Sequence, residues 1–212
     1  GSEALRLWLL EQGWQFEAVH VDHGCDWPET REFVKTIPDL TILKPIITRK
    51  GIECKSLYEH CWTQRTVPSY MVRWCTVQWK IEPLTQYFQE PCIVYQGMTA
   101  NESHRCKGDK SLKKINTYPL VSLGWTREDC KAYIKRRTGN VPMRSGCWFC
   151  PYQTASQWIK LKNTHPELYE RAKALEKRNL EYRKERGKSP LYLSAKAKPL
   201  EMITHEAQGK LF

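Results

Sequence analysis

Cys147 and Cys150 lie three positions apart in the run Arg144-Ser145-Gly146-Cys147-Trp148-Phe149-Cys150-Pro151. No other feature restricts the fold as much. A tight turn between the two thiols brings both sulfurs to one side, where they can reach a common metal centre. Gly146 permits the turn and Pro151 stops further strand pairing. Two thiols do not complete a metal site, so the chain must return from distant positions with further ligands. The spacing has three chemical readings: half of a zinc site, part of an iron–sulfur site, or a redox dithiol. A dithiol needs a thioredoxin-like strand and helix around it, which the flanking residues do not supply. The remaining reading is a pair of unligated core cysteines.

A chain of 212 residues and 25.0 kDa fits one domain, or one domain with a helical appendage. We expect an α/β nucleotide-binding part over residues 1–150 and a helical extension over 151–212. No run of ~18 apolar residues suggests a membrane span, and Gly1-Ser2-Glu3 does not resemble a signal peptide. Nine cysteines, an odd number, point to a reducing cytoplasm where thiols bind metals or do chemistry. The net charge of +11 suits a polyanionic partner, and nine tryptophans add stacking surfaces. A merely solvated basic face is the alternative.

Hydrophobic spacing predicts a helix from Glu3 to Gln12, with Gly13 as its stop. Phe16 to Val21 reads as a buried strand, and Asp22-His23-Gly24 stands at its carboxyl end. In open α/β sheets ligands bind at such ends, so Asp22 and His23 are candidate contacts. The simpler role for Asp22 is a cap or loop hydrogen bond. Pro28-Glu29-Thr30 opens a helix. Leu40 to Leu43 is a second strand, which Ile46-Ile47 extend past Pro45. Residues 49 to 70 read as irregular, and Cys92 to Gly97 as a third strand followed by a polar loop to Arg105. Lys107 to Lys114 is a basic, exposed stretch. Thr126 is a helix N-cap with Asp129 placed for a capping box, and that helix ends near Gly139. Two helices with a break at His165-Pro166 follow the cysteine pair. The tail from Gly187 reads as loosely ordered. Strands alternating with helices give an α/β fold with a mainly parallel, Rossmann-like sheet flanked by helices.

Four segments, taken in order, resemble the phosphoadenosine phosphosulfate (PAPS) reductase family of the PP-loop ATP-pyrophosphatase superfamily. Val21-Asp22-His23-Gly24, Pro28-Glu29-Thr30 and Phe33-Val34 are similar to its D-x-G and P-E-T-x-x-F-V. Arg73-Trp74-Cys75-Thr76 with Lys80 and Pro83-Leu84 is similar to R-x-C-x-x-x-x-K-x-x-P-L. Gly97 to Glu102-Ser103-His104-Arg105 is similar to G-x-R-x-x-E-S-x-x-R, with Thr99 in place of the Arg. Pro119-Leu120, Trp125-Thr126, Gly146-Cys147 and Cys150-Pro151 complete the set. The family's phosphate loop, S-G-G-x-D-S, precedes its first helix. Here Gly1-Ser2 stands there, with Ser2 matching the final Ser.

The resemblance implies an adenine nucleotide, ATP or PAPS, bound by Ser2, Asp22, His23, Gly24, Gly97, Thr99, Glu102 and Ser103. Asp22, Lys80 and Arg105 are the implied catalytic residues. It also implies a 4Fe-4S cluster, with Cys75, Cys147 and Cys150 as ligands. Cys61 is the favoured fourth, ahead of Cys106, and a three-thiolate cluster is the other arrangement. Zinc is the alternative metal. Cys25, Cys54, Cys92 and Cys130 are expected to be packing residues. The implied activity is ATP-dependent sulfur transfer to tRNA, DNA or a small acceptor. A sulfonucleotide reductase-like activity is the runner-up, although no cysteine follows Cys150 to act as its nucleophile. A third reading is a metal-stapled module that binds nucleic acid through Arg171, Lys173, Lys177, Arg178, Arg183, Lys184 and Arg186. A fourth is one half of an assembly whose phosphate loop comes from elsewhere. A homodimer is compatible with each of them, and no membrane partner is expected.

Overall fold

The structure, a computed structural model, describes residues 1–106, 114–143 and 145–208. Most of the basic stretch from Lys107, and Arg144, lie outside them. The protein is mixed α/β, with about 49% helix and 12% strand. Among the described residues the strands form three two-stranded sheets. No described helix is long and apolar enough to cross a membrane.

The chain divides into two compact units that interleave in sequence. The first comprises Gly1–Val19, Lys35–Thr41 and Thr85–Met143; the second comprises His20–Val34, Ile42–Leu84 and Arg144–Phe212. The C-terminal helices therefore share a unit with residues 20–34 and 42–84, and no unit boundary falls at residue 150.

In the first unit, α1 (Ser2–Glu11) packs on α7 (Arg127–Thr138). Leu5 and Leu9 of α1, four residues apart, share a core with Cys130, Tyr133 and Ile134 of α7. These positions recur at helical spacing, so each helix buries one stripe. The expected capping box is present: Thr126 accepts from the Asp129 N–H, and the Asp129 carboxylate accepts from the Thr126 N–H. Gly139, at φ 75°, closes α7 in the left-handed conformation that glycine adopts freely. Strand β5 (Cys92–Tyr95) pairs in parallel with β6 (Lys114–Thr117), a strand that its sequence does not announce.

In the second unit, β3 (Ile47–Arg49) and β4 (Ile52–Cys54) form an antiparallel hairpin. The segment expected to be irregular therefore begins with a hairpin and continues into α3 (Leu57–Thr63). Its two-residue turn places Lys50 at φ 52° and Gly51 at φ 76°. Consecutive positive φ angles match the right-handed twist of a hairpin. The strands β1 (Ala18–Val21) and β2 (Leu40–Leu43) pair with each other. Further on, α4 (Trp74–Thr76) continues through a π-helical turn (Val77–Ile81) into α5 (Glu82–Tyr87). Such turns are uncommon and concentrate at functional sites.

The tail is ordered, contrary to expectation. Helix α8 (Ala155–Thr164) packs on α9 (Pro166–Glu185) and on α10 (Leu200–Gln208). Leu193, Leu200 and Ile203 are buried. The fastening is Glu176 of α9, a buried carboxylate. Its Oε1 accepts from the Leu193 N–H at 2.9 Å and its Oε2 from the Leu200 N–H at 3.0 Å. Burial raises the Glu176 pKa, and the two N–H donors only partly offset that. A polar tail is thus held by a charge that no local pattern reveals.

Replacing Glu176 with Ala leaves two N–H groups without acceptors, at about 1–3 kcal/mol each. Glu176→Ala should lower the unfolding free energy by several times RT and speed amide exchange in residues 193–206. Glu176→Gln, which keeps one acceptor, should lose less. Denaturant unfolding and hydrogen exchange measure both.

Candidate metal centre

The candidate site in the second unit is built on the loop that leaves β1. Asp22 accepts a hydrogen bond from the Gly24 N–H at 2.8 Å, so the loop doubles back over two residues. Gly24 has φ 75°, and a Cβ there would stand 2.7 Å from the Ser56 Cβ. Only glycine meets both demands. On one side the loop is tied to α3: Leu57 N–H donates to the His23 carbonyl at 3.0 Å, and Tyr58 N–H donates to the Cys25 sulfur at 3.3 Å. On the other side it is tied to the cysteine pair. Trp27 N–H donates to the Gly146 carbonyl at 3.2 Å, and Trp148 N–H donates to the Cys25 carbonyl at 3.0 Å. Asp26 and Cys147 form an antiparallel bridge.

This lacing places Cys25 beside Cys147. Both are buried, at 0% and 8% exposure. Burial would push the Cys25 thiol up, but hydrogen bonds from Cys147 and His23, and the Tyr58 N–H, bring it down to about 6. Cys147 moves the other way, raised first by burial and then by its hydrogen bond to Cys25. Cys150 is close enough to raise Cys147 further and also to raise Cys75. Cys61, fully buried, feels Cys25, Cys75 and Cys54 as further charges. Five thiols, Cys25, Cys61, Cys75, Cys147 and Cys150, are therefore linked in pairs, Cys25 to Cys147 and Cys61, Cys150 to Cys147 and Cys75, and Cys61 to Cys75. Among the described residues, no group of three or more His, Cys, Asp or Glu is drawn together closely enough to hold a single metal ion.

The cationic half of the site sits next to the thiols. Asp26 is 4% exposed, and His20 and His23 approach it at 3.3 and 3.5 Å. Burial opposes ionisation of Asp26, but His20, His23 and Lys80 together hold its pKa below the usual carboxylate value. The Lys80 charge also pulls the Cys75 thiol down against its burial. Lys80 lies on the π-helical turn, five residues beyond Cys75. The Nε2 of His23 is buried and without a hydrogen-bond partner.

The residues with expected roles fall into two sets. In the second unit, Asp22, His23, Gly24 and Lys80 join the thiols, although Asp22 itself closes the loop. In the first unit, α1 begins against the end of β5. A Cβ on Gly97 would stand 2.5 Å from the Ser2 nitrogen. Thr99 is buried and donates to Glu102 at 3.5 Å, and Glu102 pairs with Arg105 and with Arg127. Arg105 is thus already matched with a carboxylate. Ser103 caps the short 3₁₀ turn through its carbonyl, which accepts from the Cys106 N–H. Cys106 lies in this unit against the sulfur of Met98 at 3.8 Å. Cys130 is a packing residue as expected; Cys25 is buried too, and its sulfur accepts from the Tyr58 N–H and hydrogen-bonds with Cys147. The signal for it in the sequence was its place at a strand end, directly after Gly24. Asp26 and His20 were missed in the same way.

Of the seven α9 cations considered for nucleic acid, several are engaged within the unit. Arg171 lies over the Tyr58 ring at 4.2 Å, Arg178 over Trp62 at 4.7 Å, and Lys173 pairs with Glu170 and Glu201.

No protein-family model matches the chain, and no solved structure matches it. Two uncharacterized proteins of Methanocaldococcus jannaschii are similar to it. MJ0973 is 25% identical over 169 residues, covering 72% of this chain and 39% of its own length. MJ0066 is 25% identical over 188 residues, covering 79% of this chain and 37% of its own length. The chain thus spans less than two fifths of each of these relatives.

Two outcomes follow from the geometry. In the metal-free protein, the lowered Cys25 pKa contributes stability above the ordinary thiol value of 9.0, which is lost as pH falls through about 6. Ultraviolet thiolate absorbance should show a step near 6 that Cys25→Ser removes. Gly24→Ala should cost about 1–3 kcal/mol in denaturant unfolding, because the backbone angle is strained and the Ser56 contact is too close.

Proposed function

We propose that the chain is the iron–sulfur, adenine-nucleotide-binding part of a PAPS reductase-like protein with a Rossmann-like fold, acting in ATP-dependent sulfur transfer to a nucleic acid or a small acceptor. The single observation that carries the proposal is the gathering of Cys75, Cys147 and Cys150 with Cys25 and Cys61. Soft thiolates suit an iron–sulfur group, and the donor set here is all thiol. Cys75, Cys147 and Cys150 would hold it, and Cys25 or Cys61 would supply the fourth ligand. Cys25 is the stronger choice on chemistry, since a ligating sulfur must be deprotonated and its thiol is the one drawn down.

A cluster held by those four thiolates would supply redox-active iron and sulfide to the transfer. The chain's own groups do the rest. Lys80 supplies positive charge beside Cys75, which favours the thiolate state and suits an anionic nucleotide. Asp26, ionised and held by His20 and His23, fixes both imidazoles. The His23 Nε2 is buried and faces the Asp26 carboxylate at 3.5 Å. In the first unit, the N-terminus of α1 meets Gly97 without intervening side chains. That close backbone approach suits phosphate oxygens.

Anaerobic reconstitution with iron and sulfide should give a brown protein with broad visible absorbance and about four irons per chain. Cys75→Ser, Cys147→Ser and Cys150→Ser should each abolish the colour. Cys25→Ser and Cys61→Ser separate the fourth ligand, because only the ligating one should lower the iron content. Zinc retained through purification, with no iron taken up, would overturn the proposal.

A further inference from the structure

A second concave site lies in the second unit, apart from the thiols. It is a cleft of about 460 Å³ lined by Arg49, Lys50, His60, Thr66, Trp74 and Gln78, among others. That volume is within the usual range for a small-molecule site. Arg49 and Lys50 project from the hairpin turn and are exposed, with no carboxylate paired to them in any described salt bridge. Deeper in, His60 is 5% exposed and its Nδ1 has no hydrogen-bond partner. The Gln78 Oε1 is likewise buried and unpartnered. The Trp74 indole lies 5.2 Å from the His60 ring, tilted by 32°, and its Nε1 donates to the Val67 carbonyl at 3.4 Å.

Each feature asks for a particular complement. Unpaired cations at the rim ask for an anion. An indole wall asks for a flat ring. A buried carbonyl oxygen without a donor asks for an N–H group, since leaving it unmet costs free energy.

We infer that the Arg49–Lys50–Trp74–Gln78 cleft binds a nucleoside phosphate whose base carries an amino group. The phosphate meets Arg49 and Lys50, the base lies along Trp74, and its amino group donates to Gln78. The His60 Nδ1 completes the contacts to the base edge. A free nucleotide and one residue of a single-stranded nucleic acid share this chemistry. The inference deepens the sulfur-transfer reading by giving the acceptor a place next in sequence to Cys75. The binding itself rests on the cleft alone and is measured without iron.

Isothermal titration of the full chain with cytidine monophosphate, uridine monophosphate and short oligocytidylate and oligouridylate strands tests it. Arg49→Ala/Lys50→Ala alters only exposed side chains and should leave the fold intact by circular dichroism. It should weaken cytidylate binding about ten-fold or more, and should lower the salt slope for a strand by about 1.4. Gln78→Leu should remove the preference for cytidylate over uridylate while sparing the phosphate contacts. Loss for strands but not for the mononucleotide identifies a nucleic-acid strand as the source; equal loss for both identifies the free nucleotide. Binding of every probe unchanged by Arg49→Ala/Lys50→Ala, or no binding by the unaltered protein, would overturn the inference. Neither result bears on iron uptake, which the thiol variants decide separately.

Discussion

The backbone hydrogen bonds between residues 25–27 and residues 146–148 are the constraint on which the candidate centre depends. Two of them, with the bridge between Asp26 and Cys147, join stretches about 120 positions apart. Closing so long a loop is entropically costly, though the cost grows only slowly with length. The bonds are short and placed in a buried strip, where an unmet N–H or carbonyl would be expensive. They therefore define the register in which Cys25 meets Cys147. Gly24 flanks this strip because bulk there would crowd the approach, the crowding atom being the Ser56 Cβ.

Electrostatics at this strip follow from the same geometry. Burying thiols normally raises their pKa, and Cys61, Cys75 and Cys147 behave so. Cys25 departs because the Cys147 thiol and the Tyr58 N–H donate to its sulfur and the His23 ring lies beside it. A single thiolate is stabilised at the expense of its neighbour, so the pair holds one proton more readily than two or none. Beside it, Asp26 gathers the positive charge of Lys80 and the two imidazoles. The result is a compact array of alternating charge. Such arrays are costly to bury unless each member has a partner, and here the His23 Nε2 has the Asp26 carboxylate beside it at 3.5 Å.

Local patterns were legible in the sequence and long-range ones were not. The capping box at Thr126 and the break at His165-Pro166 depend on residues within one turn of each other, and both appear as expected. The Cys147–Cys150 turn is local too. Cys25 was taken for packing because its partners are reached only through tertiary hydrogen bonds. The tail from Gly187 reads as loosely ordered because its composition is polar, while Glu176 anchors it from elsewhere in the chain. Helix α3 escaped notice because its apolar content is aromatic and mixed with His and Glu, without a clear stripe. Its N-cap, Ser56 with Glu59, was nonetheless readable: Ser56 accepts from the Glu59 N–H.

The second unit places two kinds of recognition on adjoining residues of one segment. Trp74 faces the cleft, and Cys75 belongs to the thiol group. Between α4 and α5 the helix passes through a π-helical turn, which shifts the side-chain phase by one residue. Gln78, four residues beyond Trp74, lines the cleft with it, as i and i+4 positions do on any α-helix. Lys80, five residues beyond Cys75 on the wider turn, reaches the field of Cys75 and Asp26. Trp74 and Cys75, adjacent in sequence, lie on different faces of the run, so the polar cleft and the thiol-lined centre share one short helical segment.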